Sequence, residues 1–324
     1  MTKYTAGIIG CGDIGFKFDY KKKVKGALTH FRAFLNSDKF ILKAVSDINV
    51  DTLKIIGKDF GINTYTDYRK MLEENKLDVI IIAVNDELHY EILKDLITYK
   101  PKLVFCEKPL ALDYKHVKEI CKLYRKKRIH LQVNFTRRFL NEFAEINEIL
   151  RSDSLGQIES LTFYYSRGLI HNASHYLDLV NWYIGETEKN LIKVSVKKGI
   201  SRKDETVSFD MIFKNGTEIR FIGLSPSKLS FAEIDITGTK GRLKFNYRNE
   251  IEKYIVAENR KYKGYSEYKL TECKPVKFEY AIPNAAENIY NVLEGKDTLK
   301  SAGINSLKIF ELINRIKGKK ICLN

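Results

Sequence analysis

A short apolar run, Thr5–Ile9, breaks at once into Gly10-Cys11-Gly12-Asp13-Ile14-Gly15, and that succession constrains the fold more than anything else in the chain. A buried strand ending in G-x-G-x-x-G has separate uses for its glycines: a tight turn, a backbone that a pyrophosphate can approach, and close packing of helix on strand. Such a turn opens a βαβ nucleotide-binding unit, with Gly10, Gly12, Asp13, Ile14 and Gly15 as candidate contacts. A second strand, Phe40–Val45, ends in Ser46-Asp47, where a carboxylate can accept hydrogen bonds from ribose hydroxyls. Asp47 is followed by Ile48 with no arginine beside it, and its charge would repel a 2′-phosphate, so NAD is favoured over NADP. The gap from Gly15 to Asp47 exceeds the usual spacing of about twenty residues, because Phe16–Leu28 holds an insertion rich in aromatics and lysine.

Further buried strands are legible at Asp78–Val84, Leu103–Cys106 and Ile129–Phe135, with amphipathic helices at Val50–Phe60, Tyr68–Glu74, Glu87–Thr98 and Tyr114–Lys126. That alternation predicts a parallel, doubly wound sheet. After Phe135 the texture changes. A helix at Phe139–Leu150 leads into alternating segments at Gln157–Tyr165, Leu191–Lys197, Glu205–Lys214, Glu218–Leu224, Glu233–Thr237, Arg242–Phe245 and Ile251–Ala257. Helices are expected at His175–Ile184, Asn284–Leu293 and Ser301–Lys317. The expected fold class is α/β: a Rossmann domain over residues 1–128, then an α+β domain over 129–324 with a large open, mostly antiparallel sheet. The last helix could pack back on the first domain.

The chain of 324 residues, 44% hydrophobic, is long enough for two cores and excludes fibrous or disordered classes. Its start runs straight into a strand, and no apolar run approaches the ~20 residues that span a bilayer, so a cytoplasmic protein without membrane contact is expected. Cys11, Cys106, Cys121, Cys273 and Cys322 are scattered and never spaced as C-x-x-C, which argues against disulfides and zinc. His30, His89, His116 and His130 have no carboxylate or cysteine at ligand spacing, so no metal is expected. The formal charge of +15 is spread through runs such as Lys21–Lys23, Lys126–Arg128 and Lys319-Lys320. Solvated lysine faces explain it better than nucleic acid, since no recognised binding module accompanies it. An anionic small substrate such as a nucleotide sugar fits the same balance.

The chemistry concentrates in two places. Phe105–Leu110 carries Glu107-Lys108-Pro109 at a strand end, which sets an ammonium group at the carboxyl edge of the sheet, where open α/β folds bind their ligands. Gly168–Asp178 gathers His171, Asn172, Ser174, His175 and Asp178 around an expected helix start. Asn172 or Ser174 is the candidate N-cap, and the helix dipole there would disfavour an imidazolium at His175. Asp178 shares a helical face with His175; Trp182 and Tyr183 read as packing.

With Asn134-Phe135-Thr136-Arg137-Arg138-Phe139 and the late Ile236–Leu243 segment, these motifs resemble, in order and over essentially the whole chain, the glucose–fructose oxidoreductase, inositol dehydrogenase and rhizopine catabolism (Gfo/Idh/MocA) family. The resemblance implies an NAD(P)-binding Rossmann domain and a second domain whose sheet forms dimer or tetramer contacts. It implies Lys108 and His175 as the catalytic pair, both touching the substrate, and Asn85, His89, Glu107 and again Lys108 on the cofactor side. Two departures stand out. His171 occupies the position where many members have an aspartate, so that triad does not carry over whole, and Val84-Asn85 replaces a common Thr-Pro. His171 and Asn172 are read as substrate-pocket residues. Arg137 is read as a phosphate or carboxylate ligand, with Arg138 preferred for a structural role. The Gly168–His175 run is similar to members acting on nucleotide-linked or acidic sugars of bacterial surface-polysaccharide pathways. An NAD-dependent dehydrogenase of sugars or cyclitols is the leading expectation. The alternatives are a redox-neutral, NAD-dependent glycoside-cleaving enzyme and a non-catalytic NAD-sensing regulator.

Overall fold

The computed structural model describes residues 3–185, 189–201, 204–213, 216–224 and 231–318; Lys319-Lys320 and Cys322 lie outside them. The chain forms two compact units: the part up to Leu140 together with Lys277–Phe310, and Asn141–Val276 together with the chain from Glu311 on.

The first unit is built on strands β1 (Tyr4–Ile9), β2 (Phe40–Ser46), β3 (Asn63–Tyr65), β4 (Val79–Ile82), β5 (Leu103–Cys106) and β6 (His130–Val133). They form one sheet in the order β3-β2-β1-β4-β5-β6, parallel at every pairing. Helices α1 (His30–Leu35), α2 (Val50–Phe60), α3 (Tyr68–Glu74), α4 (His89–Tyr99) and α5 (Tyr114–Lys127) alternate with the strands. Strands β4 and β5 are buried at every position, which is why they read as unbroken apolar runs rather than as alternation. Helices α2, α3 and α5 begin on side-chain caps: Asn49 accepts the N–H of Thr52, Asp67 that of Arg69 and Asp113 that of His116. Each cap satisfies a donor that the helix itself leaves unmet.

The second unit contains α6 (Asn141–Arg151), α7 (Ser174–Ile184) and strands β7 (Ile158–Tyr165), β8 (Lys189–Ser201), β9 (Asp204–Phe213), β10 (Glu218–Gly223), β11 (Ala232–Gly238), β12 (Gly241–Phe245), β13 (Glu250–Glu258) and β14 (Ser266–Pro275). They make an eight-stranded sheet, β14-β13-β12-β11-β7-β10-β9-β8, antiparallel except where β10 meets β7. Phe221 lies opposite both Phe163 and Phe209, and its ring stacks on theirs at 4.8 and 4.4 Å. That ladder of buried rings holds the centre of the sheet.

Two later helices, α8 (Ala281–Leu293) and α9 (Gly303–Gly318), follow the sheet, and the division between the units falls within α9. The expected boundary between residues 128 and 129 is replaced by one after Leu140, because β6 completes the parallel sheet by pairing with β5. The chain also returns: the side chain of Gln132 in β6 donates to the carbonyl of Ala285 in α8, and the N–H of Val133 to the carbonyl of Ser301 just before α9. Among the described residues no helix is long and apolar enough to cross a membrane.

Candidate functional site

The three glycines after β1 do three different things. Gly10 has φ +99°, a conformation that side chains avoid, and a Cβ there would run into the Ala83 carbonyl. A Cβ on Gly15 would collide with the Gly10 carbonyl, so the turn closes on itself at that point. A Cβ on Gly12 would meet nothing within 4 Å. The middle glycine is thus the open one, the position at which the motif leaves room for a diphosphate.

The helix expected directly after this turn is interrupted. Phe16 and Lys17 both donate to the Gly12 carbonyl and Phe18 to that of Asp13, and then the insertion leaves. When α1 starts, the N–H of His30 donates to the Ile14 carbonyl at 3.0 Å and that of Phe31 to the Gly15 carbonyl at 2.9 Å. The helix therefore resumes on the turn it left, with the insertion as an excursion. Asp19, 1% exposed, holds the excursion by accepting from the N–H groups of Leu28 and Thr29 and from the Thr29 hydroxyl.

The other first-unit candidates gather at the carboxyl ends of neighbouring strands. Asp47, after β2, accepts the N–H of Cys11 at 2.6 Å through Oδ2 and that of Asn49 at 2.7 Å through Oδ1. Asn85, after β4, is exposed. His89 is fully buried, with Nδ1 at 2.7 Å from the Pro109 carbonyl and Nε2 at 3.1 Å from that of Val84. Its ring fastens two loops together, and any part it has toward a cofactor runs through them. Glu107 and Lys108 follow β5, both half-buried, and the Lys108-Pro109 peptide is cis.

Sequence reasoning missed the partner of Glu107. His30, 0% exposed, places Nε2 at 2.6 Å from Glu107 Oε1, and Asn134 donates to the same oxygen through Nδ2 at 2.7 Å. Burial alone would push the Glu107 carboxyl up; the hydrogen bonds from His30 and Asn134 and the adjacent Lys108 charge outweigh it and hold it below its ordinary value. No local signal links residues 77 positions apart, although His30 at the start of α1 is the one histidine of the glycine-turn region.

Arg137 and Arg138 lie in a 3₁₀ turn, Thr136–Phe139, after β6. Arg138 is 9% exposed and donates to the Lys300 carbonyl at 3.4 Å, a structural placement. Arg137 is half-buried, its guanidinium 5.9 Å from the centre of the Phe278 ring.

In the second unit the expected helix start is different from the one drawn. A single π-helical turn, Leu169–Ala173, runs directly into α7, so neither Asn172 nor Ser174 is an N-cap. Asn172 donates instead to the Ser166 carbonyl through Nδ2 at 2.8 Å. The turn is held from β9: Asp204 accepts the N–H of Ile170 at 2.8 Å and of His171 at 2.9 Å. These are the donors a cap would take, so His175 sits inside the helical run rather than at its open positive end, and the dipole argument loses its basis. From Leu169 to Val180 every residue is buried except His171, Asn172 and His175. His175 stands three residues after Asn172 and four after His171, spacings that set it beside both on a helical surface. Asp178 is 1% exposed, and Trp182 stacks on Tyr183, whose hydroxyl donates to the Phe143 carbonyl, as packing residues do.

Elsewhere in this unit Glu250, Glu252 and Cys273 bring potential ligand atoms within 4.8 Å of one another, but Asn246 donates to both carboxylates and Tyr254 to Glu252. That cluster is satisfied by its own neighbours.

Residues 4–135 match the family described as an oxidoreductase family with an NAD-binding Rossmann fold, Gfo/Idh/MocA. The inositol 2-dehydrogenase/D-chiro-inositol 3-dehydrogenase of Lactiplantibacillus plantarum is 29% identical over 147 residues, 42% of either chain. The rhizopine catabolism protein MocA of Rhizobium meliloti is 26% identical, over 49% of this chain and 45% of its own. The chain thus aligns with less than half the length of these curated relatives. Over nearly the full length the fold is shared with a 3-ketoreductase of Actinomadura kijaniata, solved with NADP and TDP-benzene, at a TM-score of 0.78, 16% identity and 99% coverage of each chain.

Proposed function

We propose that the chain is a Gfo/Idh/MocA oxidoreductase, on the match of residues 4–135 and the likeness to inositol dehydrogenase and MocA proteins, and that it is an NAD-dependent enzyme acting on a secondary hydroxyl or ketone of a sugar or cyclitol derivative. The observation that carries this reading is the face of α7 and its preceding turn, buried except where His171, Asn172 and His175 present polar groups. A helix that needed only to pack would have no reason to open there.

The residues present fit the cofactor. Gly12 leaves its backbone open, Gly10 and Gly15 can be nothing larger, and Asp47 is fixed by Cys11 and Asn49 with lone pairs to spare for ribose hydroxyls. The Asp47 charge favours NAD over NADP. When bound, the nicotinamide supplies the hydride chemistry. The protein supplies the proton and the geometry. His175 Nδ1 is buried, which leaves Nε2 as the nitrogen that takes the hydroxyl proton of the substrate. Lys108 donates to the same oxygen and stabilises the negative charge that develops on it. His171, Asn172 and Arg137 bind the rest of the substrate. Asn85, His89 and Glu107 shape the cofactor side of the site.

A nucleotide-linked or acidic sugar of a bacterial surface-polysaccharide pathway is the substrate class we favour, because it suits the charge of +15 and the character of the Gly168–His175 run. The assembly is read as a cytoplasmic homodimer or homotetramer. The outward positions of β9 and β10, which alternate with buried ones, provide a sheet face for a second copy. The test is the absorbance of reduced nicotinamide when protein and NAD meet a panel of nucleotide sugars, sugar acids, free sugars and inositols. Continuous formation with one group identifies the class. No formation with any of them, in either direction, refutes the reading.

A further inference from the structure

His30 belongs to no motif assigned above, yet it is joined to two of them. Its backbone N–H is bonded to the Ile14 carbonyl inside the glycine turn, and its side chain reaches Glu107 beside Lys108. Its ring and that of Phe105 meet edge to face with centres 5.0 Å apart, so the imidazole is gripped by the strand that leads to the lysine. At 2.6 Å from a carboxylate oxygen, Nε2 must carry a proton. Nδ1 is buried and has no hydrogen-bond partner among the described residues, so a proton there would be a donor with nothing to receive it. The ring state that leaves no donor unmet is the Nε2–H tautomer, with Nδ1 a bare acceptor.

We propose that His30 is a positioning residue: its Nε2–H, with Asn134 Nδ2, fixes the carboxylate of Glu107 and so ties the placement of Lys108 to the glycine turn. This inference rests on the reading of Lys108 as a reacting-centre residue. Glu107 Oε1 receives both donors, and a carboxylate held at one oxygen by two groups from α1 and from the end of β6 cannot rotate without breaking both. The backbone that continues into Lys108 is thereby fixed on the side where the Glu107 N–H already donates to the Ile82 carbonyl. A shift of the glycine turn, as when a diphosphate settles on it, is carried through α1 to the strand end bearing the ammonium group.

The groups facing Glu107 are His30 from α1, Asn134 from the end of β6, and Lys108 beside it; the buried Cys106 thiol, on the other side, is pushed well above its ordinary value and carries no charge. The test compares His30→Phe, which keeps a ring against Phe105 but has no donor, with His30→Gln, whose amide offers an N–H. In His30→Phe, kcat with the substrate found by the panel should fall about tenfold or more, while His30→Gln stays within about threefold of the parent. A readout independent of turnover is the carbon-13 titration of the Glu107 carboxyl. Its midpoint should rise in His30→Phe and in Asn134→Ala, and not in His30→Gln. Nitrogen-15 spectra of the parent protein should show His30 protonated at Nε2. A Glu107 midpoint that does not move in the variants, equal loss in His30→Phe and His30→Gln, or a proton on Nδ1 overturns the proposal. Because the titration and the tautomer need no substrate, a protein that oxidises no sugar would refute the functional reading while leaving these two measurements to decide this one. Asn134→Ala keeps the test open should His30→Phe fail to fold.

Discussion

Asp47 Oδ2 accepts the backbone N–H of Cys11 at 2.6 Å, so the end of β2 is bonded to the turn that follows β1. The carboxylate is held in place before any ribose arrives. Replacement by serine removes the charge that a 2′-phosphate would meet. We expect Asp47→Ser to cut the preference for NAD over NADP, measured as the ratio of their dissociation constants, by about tenfold, the effect of roughly 1.4 kcal/mol of screened repulsion. An unchanged ratio would show that Asp47 does not read the ribose.

The glycines give a contrast in which stability and binding separate. Gly12→Ala adds a methyl group with no neighbour within 4 Å, and should leave the melting temperature unchanged while weakening cofactor binding by about tenfold or more. Gly15→Ala forces a methyl group onto the Gly10 carbonyl and should cost about 1–3 kcal/mol of stability. Thermal melts of both variants, with nucleotide titrations, distinguish the two outcomes. Equal destabilisation would mean that Gly12 is a packing residue after all.

Lys108→Ala and His175→Ala should each lower kcat by about 10²–10⁴-fold, the usual worth of a positioned acid or base. Cofactor binding should be retained in both, within about twofold, because the glycine turn and Asp47 supply its other contacts. Full activity in both would remove this pair from the chemistry.

Asp204→Ala strips the acceptor from the N–H groups of Ile170 and His171, leaving two donors of the π turn unmet. The expected cost is about 2 kcal/mol of stability, with a drop in kcat/KM because His171 and Asn172 ride on that turn. Asp204→Asn, which keeps one carbonyl oxygen, should fall between. If melting temperature and kcat/KM both survive Asp204→Ala, the turn is held by something other than this carboxylate.

Thiol reactivity follows burial. Burial pushes the Cys11 and Cys106 thiols up, and Cys121 up to about 11, so at pH 8 none of these three should react readily with Ellman's reagent in the folded protein. Denaturant should release them. Fast reaction of Cys106 in the native state would contradict its place in the buried strand β5.

How much of this was legible depends on how far apart the interacting residues lie in the chain. Strand β5 and helices α2 and α3 have the bounds their apolar patterns predict, because burial on both faces, or on one helical stripe, writes itself directly into local sequence. Helix α1 has six residues and β3 three, too few for a period to emerge. Strand β14 is exposed along almost its whole length, so it shows no alternation, and only its pairing with β13 makes it a strand. The site divides in the same way. Gly10–Gly15 could be read because a nucleotide-binding turn is a local device, and Asp47 because it follows directly on the next apolar strand. The bond from His30 to Glu107 and the capping of the π turn by Asp204 could not, since each joins residues more than thirty positions apart. Asn172 looked like a cap because its type suits one, but the helical run begins earlier, at the π turn whose first donors are taken by Asp204 on another strand.

The return of α1 to the carbonyls of Ile14 and Gly15 means that the two ends of the 16–29 excursion meet within a single helical turn. A segment whose ends are already adjacent adds little closure entropy, whatever its length. It can be lengthened, shortened or replaced without moving the helix that follows, provided a carboxylate such as Asp19 remains to hold its base. The nucleotide-binding turn thus works as a socket, and what is plugged into it can change over evolutionary time while the strands beneath keep their register.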